Sequence, residues 1–387
     1  MILGNEPRNF VQKLYIQDPQ QLNEVCQQFS TSKILAIDTE FVRTRTYYPK
    51  LGLLQVCDGK LLALIDPVAL KDLTPFWQLL SEPTICKVLH ACSEDLEVFL
   101  KAQCKPVNII DSQIMMSFLG HGLSMGYAAM VEHFTGVELD KSESRTDWLK
   151  RPLTDKQITY AQADVDYLIK IYPLIVELLS EKKLLENAIE ESSKLVEKKF
   201  KAIDEELLYL NIKQSWRLTS SQLNRLKFLA KWRYNRAKER DLPLNFVVKE
   251  QTLIFMAQVD PKSVGAMANI NDIDIYDVRH QGKAMLSVLK HATDKDQNEY
   301  PPAIVRLDQY PGYKGIYKKV KNFINDVAEK TGLSVEILAS KKQINKFLSW
   351  HFNLNEAKEH QQEVDFLQGW RFELFGKTLQ QLALAEF

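Results

Sequence analysis

Asp38-Thr39-Glu40 follows the apolar run Ile34-Leu35-Ala36-Ile37. Side chains two apart in an extended segment point to one face, so these two carboxylates project together as the strand closes. A third acid, Asp95, falls in the first turn of a helix opened by Ser93-Glu94. Tyr160 and Asp164 are four apart after Thr154 and Gln157, a capping-box pair, and that spacing stacks them on one helix face. Convergence of these elements would place four carboxylates and a phenol in one pocket. Such anions raise one another's pKa and need a counter-charge. Divalent cations are the simplest remedy, and an oxygen shell suits magnesium or manganese. Two such ions ~3.5–4 Å apart cut phosphodiester bonds, one activating the attacking water and the other stabilising the leaving oxygen. Taken singly, each piece has a plainer use: a solvated loop, a helix-dipole partner, a surface hydrogen-bonded pair.

The elements that must position these groups are legible in part. Lys33–Asp38, Leu51–Cys57 and Leu61–Ile65 read as strands, the last two joined by the hairpin signal Asp58-Gly59. Ile85–Leu89 and Val107–Ile110 read as further strands, each leading into a helix. That order predicts a mixed sheet flanked by helices. From Leu153 the pattern turns helical, and the charged stretch Glu181–Lys201 reads as a solvated helix or linker. Beyond it there is almost no strand signal, and the polar stretch Asp294–Pro302 marks a second boundary. The two C-terminal parts are both helix-rich, without a clear repeat. The expected domains are 1–200, 205–293 and 294–387.

Composition bounds the function classes. A chain of 387 residues with 45% hydrophobic and 26% charged residues holds several packed cores, which excludes a disordered or fibrous protein. No apolar run reaches the ~18–20 residues of a membrane span, and MILGNEPRNF has no charged-then-apolar signal pattern. The expectation is a cytoplasmic protein with no membrane partner. Five scattered cysteines without a C-x-x-C pair argue against disulfides or zinc. Of the histidines, His90 reads as a satisfied near-core residue and His121 as a loop residue, while His133, His280, His291, His351 and His360 form no cluster. The net charge is zero, yet Lys213 to Lys249 holds ten basic residues against Glu239 and Asp241. Lys227, Lys231, Arg233 and Arg236, interleaved with Trp232 and Tyr234, are candidates for phosphate binding and base stacking. Arg43 and Arg45 lie just beyond the acidic strand and are candidates for substrate phosphates, with salt bridges as the alternative.

Three segments, Ile37-Asp38-Thr39-Glu40-Phe41, Leu89-His90-Ala91 with Asp95-Leu96-Glu97, and Tyr160-Ala161-Gln162-Ala163-Asp164, resemble the exonuclease motifs of the DEDD superfamily in its tyrosine subgroup. The longer run from Asp38 to Pro49, followed by Leu51 to Gln55, is similar to the ribonuclease D family. The likeness covers roughly 10–200. Trp216-Arg217-Leu218 through Val248 resembles an HRDC module (helicase and ribonuclease D C-terminal), and Ala303 to Phe387 a more divergent one.

The resemblance implies an α/β ribonuclease H-like exonuclease domain followed by two all-α HRDC-like domains. It also implies metal-dependent 3′→5′ removal of nucleoside 5′-monophosphates from RNA, with tRNA precursors and other structured RNAs as substrates. Two divalent ions, Mg2+ or Mn2+, would be held by Asp38, Glu40, Asp95 and Asp164, with Asp38 bridging them and Asp95 supporting the second directly or through water. Tyr160 would orient the attacking water. A DNA exonuclease of the same chemistry, or an RNA-binding protein on a retired nuclease fold, are the alternatives. The expected oligomeric state is a monomer.

Overall fold

The computed structural model describes residues 11–355 and 363–386; the N-terminal segment read for a signal and His360 lie outside them. Strand β1 (Gln12–Ile16) and helix α1 (Pro19–Phe29) precede β2 (Ile34–Val42), β3 (Lys50–Cys57) and β4 (Leu61–Ile65). Then come α2 (Thr74–Ser81), β5 (Cys86–Leu89), α3 (Asp95–Lys101), β6 (Ile109–Asp111), α4 (Ser112–Phe118) and α5 (Tyr127–Thr135). The long α6 (Asp155–Glu181) and α7 (Leu185–Phe200) complete this part.

The six strands form one mixed sheet in the order β1-β4-β3-β2-β5-β6. β2, β3 and β4 run antiparallel, with β1, β5 and β6 added parallel to their neighbours. The expected β3–β4 hairpin is present: Gly59 takes φ +89, and Asp58 Oδ1 accepts the Lys60 and Leu61 N–H groups at 2.8 Å. Strand β1 escapes sequence reading because it is an edge strand in which only Ile16 is fully buried.

Alternation along the central strands sorts the core into two layers. Ala36, Leu53, Leu62, Leu64 and Val88 face α4, α5 and α6. Leu35, Ile37, Leu54, Val56 and Ala63 face α1, α2 and α3. The stretch read as a solvated helix or linker is instead the packed helix α7. Its small residues Ala188, Ser192 and Val196, four apart, form a buried seam, and Ser192 Oγ accepts the Asp111 N–H at 3.2 Å.

The remainder is helical. α8 (Ser220–Arg240), α9 (Leu244–Val247), α10 (Glu250–Val259), α11 (Val264–Ala268) and α12 (Ile275–Thr293) enclose a separate core. α13 (Tyr313–Thr331), α14 (Val335–Leu338) and α15 (Lys341–His351) follow, then α16 (Gly369–Arg371), which passes through a π-helical turn into α17 (Lys377–Glu386). In both parts a long helix leads to a one-turn helix and then to a helix of ten or eleven residues, a shared order that the sequence pattern hid. The last part docks on α7. Arg371, only 3% exposed, pairs with Glu191 at 2.6 Å, and the Trp370 ring lies 5.1 Å from that of Phe118.

Candidate active site

Ala36 packs toward α6, so the two-residue period carries Asp38 and Glu40 to that same face. There they meet Asp164. One carboxylate oxygen from each of the three lies within 4.8 Å of the others. Thr39 points to the opposite face, where α3 packs, and its hydroxyl donates to Asp95 Oδ1. Asp95 therefore reaches the site from the other side of the sheet rather than joining the three-carboxylate cluster. Its charge is still felt there, raising the pKa of both Asp38 and Glu40.

Burial is the main cause of every shift in the cluster. It pushes Glu40 up to about 9, with help from Asp164 and Asp95. It raises Asp164 to about 7 and Asp95 to about 6, the latter held back by the Thr39 hydrogen bond. Asp38 rises well above the carboxylate range, pushed by burial and by all three neighbouring acids. Among the described residues no Lys or Arg pairs with any of the four; the nearby cations Arg43 and Lys199 both pair with Glu97. Asp164 Oδ2 is buried without a hydrogen-bond partner. Clustered, uncompensated carboxylates with an orphaned oxygen are a donor set that fits a hard divalent cation.

The Thr154–Gln157 capping box forms as expected and opens α6, which carries Tyr160 and Asp164. Tyr160 leans on the buried Trp148, with ring centroids 6.0 Å apart. Trp148 is fixed in turn by Arg151, whose guanidinium donates to the Trp148 carbonyl at 2.9 Å and to the Gly52 carbonyl at 2.6 Å. The same group clamps the fully buried Asp66 with bonds of 2.6 and 2.8 Å. A cavity of about 570 Å³ opens beside Tyr160 and Asp164, walled by Tyr127, Leu139, Lys141 and Lys156. It is large enough for a nucleotide.

Three residues near the site were not legible in the sequence. Thr39 holds Asp95. Gln55 lies opposite Asp38 across the β2–β3 ladder and is fully buried, with its Oε1 unpartnered. Tyr127 donates to the Ala163 carbonyl at 2.9 Å, and burial and the Asp164 and Asp38 charges keep its phenol neutral. Nothing but three-dimensional packing could have singled them out. His90 is the satisfied histidine expected, its ring nitrogens 2.9 Å from Ser112 Oγ and 3.0 Å from the Met125 carbonyl. His121, a loop residue as expected, and His133, read as dispersed, come together with ring centroids 4.6 Å apart.

The basic candidates divide. Arg233 is 6% exposed and donates to the Val248 carbonyl, so it belongs to the core of its domain and is withdrawn as a phosphate ligand. Lys227 and Lys231 both pair with Glu206, at 2.9 and 2.5 Å, and Arg236 pairs with Glu239 at 2.7 Å. Arg43 and Arg45 are both exposed, and Arg43 is bound to Glu97 and to the Tyr47 carbonyl.

Known proteins place this geometry. A family profile described as 3′-5′ exonuclease matches residues 14–180, one described as HRDC domain matches 222–289, and one described as Ribonuclease D, C-terminal HRDC domain matches 311–379. Ribonuclease D of Shewanella sp. (strain ANA-3) is 42% identical over 369 residues, covering 95% of this chain and 93% of its own. That of Escherichia coli (strain K12) is 41% identical over 362 residues, covering 93% and 96%. The crystal structure of Escherichia coli RNase D, described as an exoribonuclease involved in structured RNA processing, superposes with TM-score 0.91 at 39% identity, covering 96% of this chain and 98% of that one. A Bifidobacterium adolescentis protein of 21% identity shares the fold, with TM-score 0.67 over 99% of both chains. With its acidic cluster intact on a matching exonuclease fold, the chain belongs to the ribonuclease D family of metal-dependent 3′→5′ exoribonucleases.

Proposed function

We propose that the site holds two divalent ions, Mg2+ or Mn2+, and trims structured RNAs with unpaired 3′ ends, tRNA precursors among them. The observation that carries this reading is the close approach of Asp38, Glu40 and Asp164 around an orphaned Asp164 oxygen. These three would hold the first ion. Asp38 and Asp95, which flank Thr39 from opposite faces, would hold the second, Asp95 directly or through water. Such ions lower the pKa of the attacking water and offset charge on the leaving oxygen.

Tyr160 orients that water as a hydrogen-bonding phenol. Burial and the neighbouring acids raise its pKa, so it stays neutral and keeps its proton. The cavity beside it accepts the terminal nucleotide, and Arg45 meets a phosphate near the cut. Lys227, Lys231 and Arg236 remain candidate RNA contacts, since their pairs with Glu206 and Glu239 lie at the surface and exchange readily for phosphates. We take 1–200, 205–293 and 294–387 as the domains of a monomer acting in the cytoplasm, a setting that the five free cysteines support.

Calorimetric titration with Mn2+ tests the metal count. The wild type should bind two ions and Asp164→Asn should lose one; a single site in the wild type would overturn the two-ion reading.

A further inference from the structure

The first helical module grips the chain just downstream of the catalytic strand. β2 carries Asp38 and Glu40, shifts register between Glu40 and Phe41, and ends at Val42. The next residues fold into a tight segment, with Arg43 donating to the Tyr47 carbonyl at 2.9 Å and Thr46 to the Tyr48 carbonyl at 2.6 Å. Two helices, α8 and α3, converge on it. The Tyr48 N–H donates to Oδ1 of Asp241, the residue that caps α8, at 3.0 Å. The Tyr47 ring packs on the core of that module, its centroid 6.1 Å from that of Tyr234. From the other side, Lys101 at the end of α3 stands over the Tyr48 ring at 4.1 Å, and Arg43 pairs with Glu97 on the same helix. α3 begins at Asp95, so two of the three acid-bearing elements, β2 and α3, are tied to one short segment that α8 holds in place.

We infer that Asp241 is a positioning residue for hydrolysis, so that the first HRDC module completes the catalytic scaffold besides any part it plays in holding RNA. The reasoning is geometric. Catalytic acids whose oxygens lie within 4.8 Å of one another lose function on displacements near 1 Å. The stretch from Glu40 to Tyr48 is too short and too heavily bonded to absorb such a displacement locally. The inference rests on the family's hydrolytic activity, and a failed assay of the wild type would implicate that activity rather than Asp241.

The test uses the full chain and an RNA trinucleotide with its 3′ hydroxyl free. Asp241 sits at φ +51, in the left-handed region, which Gly and Asn tolerate. Asp241→Gly removes the acceptor without backbone strain, and Asp241→Asn restores an oxygen at the same place. The expected result is a fall in kcat of roughly tenfold or more for Asp241→Gly. KM should change less than twofold, thermal melting should show a folded protein, and Asp241→Asn should recover the rate. Lys101→Met, an exposed change that leaves the fold alone, should lower the same kcat in the same direction. A trinucleotide kcat within twofold of wild type in both Asp241→Gly and Lys101→Met would overturn the inference, whatever happens with longer RNA.

Discussion

At the scale of single residues the site is defined by charge that the protein leaves uncompensated. Asp38, Glu40, Asp95 and Asp164, half-buried or buried around the central strand β2, have no basic partner among the described residues, and burial is the largest cause of their raised pKa values. The consequence for stability has a definite sign. A carboxyl whose folded pKa exceeds its unfolded value of ~4 binds more protons when folded, so stability falls as pH rises across that interval. For these groups the window opens near the unfolded value and extends through about 6, 7 and 9 for Asp95, Asp164 and Glu40. A bound divalent cation reverses the penalty. Melting curves in chelator and in Mn2+ should therefore show a larger metal-induced rise in Tm at pH 8.5 than at pH 5.5. Asp38→Asn should shrink that difference; equal rises at both pH values would deny that the acids are strained by their own charge.

Whole elements set how well those residues are aimed. Alternation in β2 made the pairing of Asp38 with Glu40 legible, and the capping box with a four-residue step made Tyr160 and Asp164 legible. The side from which Asp95 arrives was not. It depends on which face of the sheet α3 covers, and no local spacing encodes that. The same holds for Arg233: a basic helix reads as a uniformly charged surface until packing shows which side faces its own core.

The loop that supports Tyr160 gives a sharp test. A Cβ on Gly52 would stand 2.6 Å from the Trp148 carbonyl oxygen and 2.8 Å from its Cβ, so backbone and ring anchor must separate. Gly52→Ala should cost about 1–3 kcal/mol by overpacking. It should lower Tm and kcat together, because Trp148 carries the Tyr160 contact. Tyr160→Phe should lower kcat and leave Tm in place. Full activity in Gly52→Ala would remove Trp148 from the support of the site.

On the scale of the whole molecule, the exonuclease domain is held at two places. The first helical module meets the segment after β2, and the second closes on α7 through Arg371 and Glu191, with Lys201 and Lys346 converging on Glu363 at 2.5 and 3.0 Å. Removing one partner of a buried ion pair costs about 3–5 kcal/mol. Arg371→Ala should accordingly loosen the second module, seen as a larger radius of gyration in solution scattering. It should spare trinucleotide cleavage and weaken cleavage of a structured RNA. An unchanged radius would mean that the apolar contact of Trp370 with Phe118 suffices to hold the module.

Family motifs in the sequence implied three domains, but their mutual grip depends on pairs such as Glu191 with Arg371, 180 residues apart, which no local pattern records. The central claim is metal-dependent shortening of RNA from its 3′ end. A 5′-labelled RNA hairpin with a 3′ tail, and its DNA counterpart, would be incubated in Mg2+, in Mn2+ and in chelator and resolved at single-nucleotide steps. The account predicts a ladder on RNA in either metal that stalls at the stem, none in chelator, and none with Asp38→Asn. An equal ladder in chelator, or shortening by Asp38→Asn at the wild-type rate, would contradict it.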